Sequence, residues 1–563
     1  MHIPTNTRMP ARQSPNRLSP LATALAAFGL VLAPATQAAP SIQIGEDTSI
    51  AYSLTLSHTM STRVSKAAKE YLNDWNSDDG TRNFDRGSLI NNRTNALGEF
   101  RIRHDNLGGM LRASTFYDSV YRRSNDNDSP DTVNKIGQHD HFNSVTRRKA
   151  GRDSRILDAY VFGDWTVGDD QYFSLKVGRH VVAWGESMFW ANISQGQVPM
   201  DAPVFNVPGT EAKEGYLPVG QVSASFTASD ALTFTGFYQY EWEKTRLNPV
   251  GDFFGSDFFG PGSQFMRLAP GVIGGLPDNS FMVVNFAGEL KPRDSGQWGL
   301  GARWQVTDAT EIGLYHYRYH DRVGAMFFDF TGDTTFSSYK RFARRASPES
   351  TPSFKLAYFD DIKLTGLSLS SKVGDSVQWA AEVSYRDNAA VYVDSPLGAA
   401  PARGSYWQGN LNAVYMLGPN AFAHQTTLMG EIVHQRIHSA DKLRISSGGF
   451  DLGGFNDFTY KDDSGEQTRS QTLIGVGALF SHPSVFSGWD LDTKVIWTQN
   501  VSGSAYQGMG RDEKRITLGA DLTYMGNFTI GLTYAGYLGS PSVRYGRTMA
   551  DRDYVSLSAK YTF

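Results

Sequence analysis

From about residue 48 to residue 563, the chain is divided into segments of ten to fifteen residues in which apolar and polar side chains alternate. A period of two is the pattern of a β-strand with one apolar and one polar face. The last segment shows it most clearly, because Val555, Leu557, Ala559, Tyr561 and Phe563 share one face, with Ser, Lys and Thr between them. Segments of this kind along the whole chain predict an all-β fold.

Soluble β-sandwiches and membrane β-barrels both contain alternating strands, and the connections between the strands discriminate between them. The sequence predicts about eighteen strands, within a range of sixteen to twenty, joined alternately by short turns and long polar loops. Short turns at one end and long loops at the other are typical of outer-membrane barrels. The predicted strands start near residues 48, 94, 108, 154, 171, 219, 231, 297, 310, 353, 376, 406, 421, 470, 489, 513, 527 and 554.

The composition of the turns and of the two strand faces agrees with a barrel. Turns such as Asp105-Asn106, Gly374-Asp375 and His482-Pro483 contain the residues that favour β-hairpin conformations. Charged side chains occupy one face of the strands, whereas the other face carries aliphatic and aromatic residues, as a lipid-facing surface requires. The sequence therefore predicts a transmembrane antiparallel β-barrel in the bacterial outer membrane, with periplasmic turns and extracellular loops.

The first forty residues have the layout of an export signal. Three arginines precede an apolar run of thirteen residues over 21–33, and small residues follow up to residue 38. A run of this length is too short to span about 30 Å of hydrocarbon. We therefore expect a signal peptide over 1–38, cleaved near 35–38, and a single barrel domain over 39–563.

Composition and motifs exclude several classes of protein. The chain has no Cys, which excludes a disulfide scaffold, a Cys-ligated zinc domain and a thiol enzyme. A net charge of −4 gives no reason to expect nucleic acid as a partner. The acidic runs 74–79 and 126–131 do not match a twelve-residue calcium loop and are expected to be solvated. Because the known catalytic and nucleotide-binding motifs are also missing, we expect no cofactor, no metal and no enzymatic activity.

A block around the third long loop makes the sequence recognisable. The stretches GRHVVAWGES over 178–187, VPGTEAKEGYLPV over 207–219 and GFYQYEWEKT over 236–245 resemble an uncharacterised outer-membrane family, domain of unknown function 1302 (DUF1302). The resemblance implies an envelope system in which such a barrel works with a periplasmic protein and an RND-type inner-membrane transporter. It also implies traffic of hydrophobic molecules. Outer-membrane lipid and the barrel-assembly machinery are the other expected partners.

Two loops, 183–217 and 245–295, are expected to fold inward. The first combines charges with aromatic rings, which predicts a constriction or ligand path; the alternative is a loop that only braces the barrel. The second is unusually aromatic, and we expect it to pack into the barrel mouth. Glu241 and Glu243 are expected on the lumen face, where they solvate a pore in preference to acting as acid and base. The candidate constriction residues are Arg179, His180, Trp184, Glu186, Trp190, Glu211, Lys213, Glu214, Glu241 and Glu243.

Three functions are compatible with these observations. The leading hypothesis is a conduit or receptor for hydrophobic or lipid-like small molecules that works with an envelope export or uptake system. The alternative is a structural or adhesive surface protein, in which the long loops are the working part. An outer-membrane enzyme is the third and is disfavoured by the missing catalytic constellation.

The last strand yields a prediction on assembly. Tyr561 and Phe563 resemble a C-terminal signal that the barrel-assembly machinery reads. Phe563→Asp should sharply lower the amount of heat-modifiable barrel in the membrane fraction, because a carboxylate replaces the terminal aromatic ring. The same change at Thr562, on the polar face, serves as the control. Normal amounts of folded Phe563→Asp protein would contradict the assignment.

Overall fold

The structure of the chain is a computed structural model. It describes residues 41–194, 196–268, 282–329, 335–336, 352–395, 398–447, 450–455, 468–503, 509–543 and 545–563. The predicted signal peptide and part of the predicted inward loop 245–295 lie outside these residues.

The described chain forms a barrel whose strands we number β1 to β18. Their bounds are Thr48–Arg63, Leu89–His104, Leu107–Asp118, Arg152–Val167, Gln171–His180, Val219–Ser229, Leu232–Gln239, Gln297–Thr307, Thr310–Tyr319, Ile362–Val373, Val377–Ser395, Gly398–Leu417, Gln425–Ala440, Ser470–Phe486, Trp489–Ser502, Lys514–Tyr524, Phe528–Leu538 and Tyr554–Thr562.

Antiparallel pairing of the first and last strands closes the barrel. β1 pairs with β18 from Thr55 opposite Thr562 to Arg63 opposite Tyr554, and it pairs with β2 on its other side. A further short strand, Ser41–Ile44, forms a hairpin with the beginning of β1. Closure leaves no unpaired edge in the barrel wall. An unpaired edge would expose backbone N–H and C=O groups to lipid, which offers them no hydrogen-bond partners. The predicted eighteen-stranded antiparallel barrel is confirmed.

The two faces of the wall differ as the alternation predicts. Outward side chains such as Leu111, Leu300 and Leu532 are about half exposed or more on the isolated chain, because lipid would cover them. Inward positions of the same wall carry Arg112 and Arg303, which form ion pairs with other wall residues. The charged face therefore lines the lumen.

Most strand boundaries agree with the prediction, but three connections differ. Ser353–Ala357, predicted as the start of the tenth strand, pairs outside the barrel, and β10 begins at Ile362. The turn after β14 lies beyond Phe486, not at His482-Pro483, because the strand continues through that proline. No long loop follows β11, since β11 and β12 remain paired up to Ser395 opposite Gly398.

The long connections between the barrel strands carry small helices and sheets. The α-helices, numbered α1 to α5, are Lys69–Leu72, Asp79–Arg82, Ser144–Lys149, Ala202–Phe205 and Ala212–Gly215. Val120–Arg122 is a 3-10 helix. Strands Phe265–Leu268, Met282–Leu290, Ala325–Asp329 and Ser353–Ala357 form one additional sheet, and Thr335–Phe336, Leu443–Ser447 and Phe450–Phe455 form another. Within the described ranges, no helix is both long and apolar enough to cross a membrane.

The arrangement of turns and loops predicts the topology in the membrane. Asp128 lies in the long loop after β3 with an almost fully exposed side chain, and Asp375 is exposed in the turn between β10 and β11. A Cys at Asp128 should react with an impermeant maleimide on intact cells, whereas a Cys at Asp375 should react only after lysis. The native chain has no Cys and gives no background. Labelling of intact cells at Asp375 but not at Asp128 would reverse the topology.

Candidate functional site

The loop that joins β5 to β6, residues 181–218, lies inside the barrel and is fastened to its wall by two carboxylates. Glu382 on β11 accepts hydrogen bonds from the backbone N–H groups of Glu186 and Ile193, at 2.6 and 3.2 Å. Glu431 on β13 accepts from the N–H groups of residues 188–190, at 2.6 to 3.0 Å. Both carboxylates are almost completely buried. Each carboxyl group thereby satisfies backbone N–H groups that would otherwise be buried without an acceptor.

Wall side chains also satisfy the carbonyl groups of the same segment. Asn412 donates to the carbonyl of Glu186, and Asn410 donates to that of Trp190. Arg386 on β11 donates to the carbonyl of Asn192. Backbone groups buried without partners are costly, and these bonds allow an irregular segment to lie inside a barrel.

Aromatic contacts hold the beginning of the loop. The ring of Trp184 lies 5.0 Å from that of Phe237 on β7 and stacks on Tyr315 of β9 at 5.6 Å. Trp190 packs into a cluster with Val433 of β13. Trp184 and Trp190, both predicted as path residues, thus lie on the inward segment beside Glu186, but much of each ring is occupied by packing against the wall.

Glu186 has an unusual environment. Its side chain is buried, and its Oε2 has no hydrogen-bond partner within the described part of the chain. Burial raises the pKa of Glu186 to about 8, and the charges of Glu382 and Glu311 add to the shift, whereas Arg303 opposes it. The carboxyl is therefore mostly protonated at neutral pH.

The second half of the loop contacts a different part of the wall. Thr59 on β1 donates a hydrogen bond to the carbonyl of Pro208. Lys213 forms ion pairs with Glu99 on β2 and, at 2.9 Å, with Glu211. Glu211 in turn lies 3.6 Å from Lys560 on β18. Although burial opposes the shift, these two lysines lower the pKa of Glu211.

Loop 181–218 therefore crosses the lumen. Its first half is fastened to β11 and β13, and its second half to β1, β2 and β18. Helix α5 begins in this second half, where Glu211 and Glu214 form a capping box. Burial raises the pKa of Glu214, unlike that of Glu211. The structure thus brings six of the predicted residues onto one loop inside the barrel: Trp184, Glu186, Trp190, Glu211, Lys213 and Glu214.

The remaining predicted residues form a separate group where β5 to β7 reach the loops. Arg179 forms ion pairs with Glu241 and, at 3.2 Å, with Glu243. Glu243 also pairs with Arg246. His180 is buried in the wall, where one ring nitrogen bonds the Ser223 hydroxyl at 2.7 Å. These ion pairs hold the segment at which the loop enters the barrel.

Sequence reasoning missed the residues that position the loop. Glu382, Glu431 and Arg386 each lie on the lumen face of a strand, where a polar residue is ordinary. Glu382 and Arg386 occur four residues apart on β11 and Glu431 lies on β13, so no local pattern indicates that they share a role. Only the folded position of residues 186–193 shows what they bind.

The acidic run 74–79 is not fully solvated, contrary to expectation. Asp78 and Asp79 are buried, and an oxygen of each lies within 4.8 Å of an oxygen of Asp257. Burial and the neighbouring carboxylates raise the pKa of Asp79 to about 7 and that of Asp257 well above its ordinary value. Retained protons therefore reduce the repulsion where the loop after β1 meets the loop after β7.

The predicted inward loop 245–295 is divided between two places. Phe253 is completely buried among Phe84, Tyr121 and Phe142 from other loops, next to Tyr554 at the mouth of the barrel. The later part forms strands of the additional four-stranded sheet, and residues 269–281 lie outside the described chain. Packing into the mouth thus applies to the segment around Phe253.

The chain was compared with known proteins at the levels of family, sequence and structure. A family model described as protein of unknown function (DUF1302) matches residues 20–563. No curated protein matches the sequence. In structure the chain is similar to Acinetobacter baumannii OccAB1, with 10% identity, 94% of this chain and 99% of that chain covered, and a TM-score of 0.43.

Two further solved structures are similar at the same level. A BenF-like porin from Pseudomonas fluorescens Pf-5 has 11% identity, covers 91% of this chain and 98% of its own, and gives a TM-score of 0.40. Pseudomonas aeruginosa OpdK with vanillate has 11% identity, covers 92% and 99%, and gives a TM-score of 0.40.

Protonation of Glu186 predicts how the loop responds to pH. The folded loop binds this proton more tightly than an open loop, in which the pKa is near the ordinary 4.5, so loop stability falls as pH rises from about 4.5 to about 8. Glu186→Gln imitates the protonated carboxyl and removes this dependence. At pH 8.5 the amides of residues 186–193 should exchange hydrogen faster in the wild type than in Glu186→Gln, and at pH 4 they should be alike. Glu46→Gln, in an exposed turn, is the control; equal exchange in Glu186→Gln and wild type at pH 8.5 would contradict the assignment.

Proposed function

This chain belongs to the DUF1302 family, and from that premise we propose that it is a passive conduit across the outer membrane for hydrophobic or lipid-like small molecules. One observation carries the proposal: loop 181–218 crosses the lumen and is fastened to separate parts of the wall. A protein that only needed a stable barrel would not require an ordered loop across its interior. A loop held in this way sets what can pass, as constrictions do in channels.

The charges around the loop support passage of molecules with little net charge. Arg112 is paired with Glu99 and Asp158, and Arg303 is paired with Glu311. Because these wall charges have neighbours of opposite sign, this part of the lumen does not present a single sign of charge to an ion.

Exposed apolar side chains on the same loop support a hydrophobic solute. Met200 and Phe205 are about two-fifths exposed, although the loop they belong to is otherwise well packed. Apolar surface that the fold leaves uncovered, between polar walls, is suited to transient contact with an apolar molecule.

The family resemblance adds partners to the proposal. A periplasmic protein and an RND-type inner-membrane transporter would receive or deliver the solute at the end of the barrel that carries the short turns. The direction of transport follows from the inner-membrane partner, because a passive conduit has no energy source of its own.

A structural or adhesive surface protein is the second candidate. It is favoured by the two additional sheets outside the barrel, which are more elaborate than a constricted channel needs. Catalysis has less support, because Glu241 and Glu243, the only carboxylate pair considered for it, form ion pairs with Arg179 and Arg246.

Uptake through the outer membrane of whole cells tests the proposal. Cells that express the protein should take up N-phenyl-1-naphthylamine several times faster than cells without it, while hydrolysis of nitrocefin by a periplasmic β-lactamase stays unchanged. Replacing residues 186–213 with a short Gly-Ser linker should accelerate entry of both compounds, because the lumen loses its constriction. The control is Ile136→Ala, a change at a highly exposed position in the loop after β3.

Two outcomes would contradict the conduit. If the wild type admits neither compound and the linker variant admits both, the loop is a plug and the adhesive alternative gains support. If the linker variant behaves as the wild type does, although folded to the same amount, loop 181–218 does not control passage.

A further inference from the structure

A cavity in the mouth of the barrel lies directly outside the crossing loop. Its volume is about 620 Å³, within the range of pockets that hold small organic ligands. Arg515 and Tyr537, near the mouth ends of β16 and β17, form one side, and Ala202 and Asn206 of loop 181–218 form another. A solute that enters from outside meets this cavity before it reaches the crossing loop.

Apolar side chains provide much of the cavity wall. Phe254, Phe258 and Phe259 from the loop after β7 are partly exposed, and so is the side chain of Met549 from the loop after β17. Phe254 is held edge-on by Tyr554 at 5.7 Å, and Phe258 by Phe354 at 6.3 Å. The rings are therefore fixed by packing and available on one side.

One buried cation in the wall lacks a full set of acceptors. Arg552 is almost completely buried, its Nη1 donates to Thr81 and Asp551, and its Nε has no hydrogen-bond partner among the described residues. Asp551 also accepts a hydrogen bond from Arg63. Two guanidinium groups therefore share the single carboxylate of Asp551, so these three side chains together carry a net charge of about +1. The Nε atom itself is buried, but Arg552 lines the cavity, so an anionic ligand there would lie close to its positive charge.

The cavity lining also includes the acidic side chain of Asp74. Asp257 also lines the cavity, but burial and the carboxylates of Asp79 and Asp78 raise its pKa well above the ordinary value. This shift favours the protonated form of Asp257, which opposes the charge of Arg552 less than a carboxylate would.

We propose that this mouth cavity binds amphipathic carboxylates, with the apolar body against the Phe254, Phe258 and Phe259 rings and the carboxylate on Arg552. The inference deepens the proposed function and rests on it in one respect: the cavity is taken as the outer binding step of the conduit. It narrows the class of hydrophobic solute to one that carries a single anionic oxygen group.

Binding of a matched pair of probes tests the assignment. The folded protein in lipid nanodiscs is titrated calorimetrically with 4-phenylbutyrate and with 4-phenyl-1-butanol, which differ only in the head group, and empty nanodiscs supply the correction for partitioning. The carboxylate should bind at least about tenfold more tightly, because a hydrogen bond to a charged group contributes about 1.5–3 kcal/mol.

Three variants locate the site. Arg552→Gln should lose the preference for the carboxylate and retain the weaker binding of the alcohol. Met549→Trp should abolish binding of both probes by filling the cavity, and it leaves the Arg552 contacts in place. Ile136→Ala, at a highly exposed side chain that does not line the cavity, should bind as the wild type does. Heat-modifiability confirms that each variant is folded, so Met549→Trp keeps the test decisive even where Arg552→Gln does not fold.

The outcomes separate this inference from the proposed function. Equal binding of the two probes, or carboxylate binding that survives Met549→Trp, overturns the assignment of the cavity. If that happens while the wild type still accelerates uptake of N-phenyl-1-naphthylamine, the conduit stands and the site is wrong. If 4-phenylbutyrate binds as expected and uptake is unchanged by the protein, the site stands and the conduit is wrong.

Discussion

Five backbone N–H groups of an irregular segment inside the barrel are satisfied by two wall carboxylates, and the rest of the site depends on these bonds. Glu382 and Glu431 accept the N–H groups of residues 186, 188–190 and 193. Without them, the segment would expose unpaired donors to a buried surface, at a cost of about 1–3 kcal/mol for each group. The loop therefore has one position against the wall, and the width of the lumen follows from it.

These hydrogen bonds contribute more to the stability of the loop position than to the stability of the barrel. The barrel strands are paired with neighbours on both sides through a continuous ladder, including the closing pair β1 and β18. Loss of one carboxylate removes loop bonds and leaves that ladder intact. A loop with its own, smaller stability can open without unfolding of the barrel, as is common for functional loops. Because the loop and the barrel have separate stabilities, the constriction can respond to solute or pH while the barrel stays folded.

Alternation and turn composition predicted most of the barrel, because both are local properties of a strand in lipid. The errors arise where the same local pattern serves another purpose. Ser353–Ala357 alternates as a barrel strand does but pairs with Met282–Leu290 outside the wall, and periodicity carries no information on the pairing partner. His482-Pro483 looks like a turn but lies within β14, close to the end that carries the short turns, where the pairing register shifts and a missing N–H is tolerated.

The site was predictable only in part for the same reason. The mixture of charge and aromatic residues in 183–217 indicates an unusual loop, and Trp184, Glu186, Trp190, Glu211 and Lys213 do lie on it inside the barrel. Arg179, Glu241 and Glu243 are charged like the residues of that loop, but they pair with each other at the strand ends. The fastening residues on β11 and β13 are nearly 200 positions or more from the amides they bind, and no local pattern connects them.

A disulfide across the lumen contact tests the central claim, that loop 181–218 lies against the far wall. A Cβ built on Gly209 would lie 3.3 Å from the Cβ of Ser558 on β18, close to the separation of about 3.5–4.5 Å in disulfides. Gly209 has a φ of +84°, so a Cys there costs about 1–2 kcal/mol, which the barrel can tolerate. The double variant Gly209→Cys, Ser558→Cys should form the disulfide nearly completely on mild oxidation, as measured by mass spectrometry of the folded protein. Two thiols that stay free and react with maleimide in the folded barrel would contradict the account.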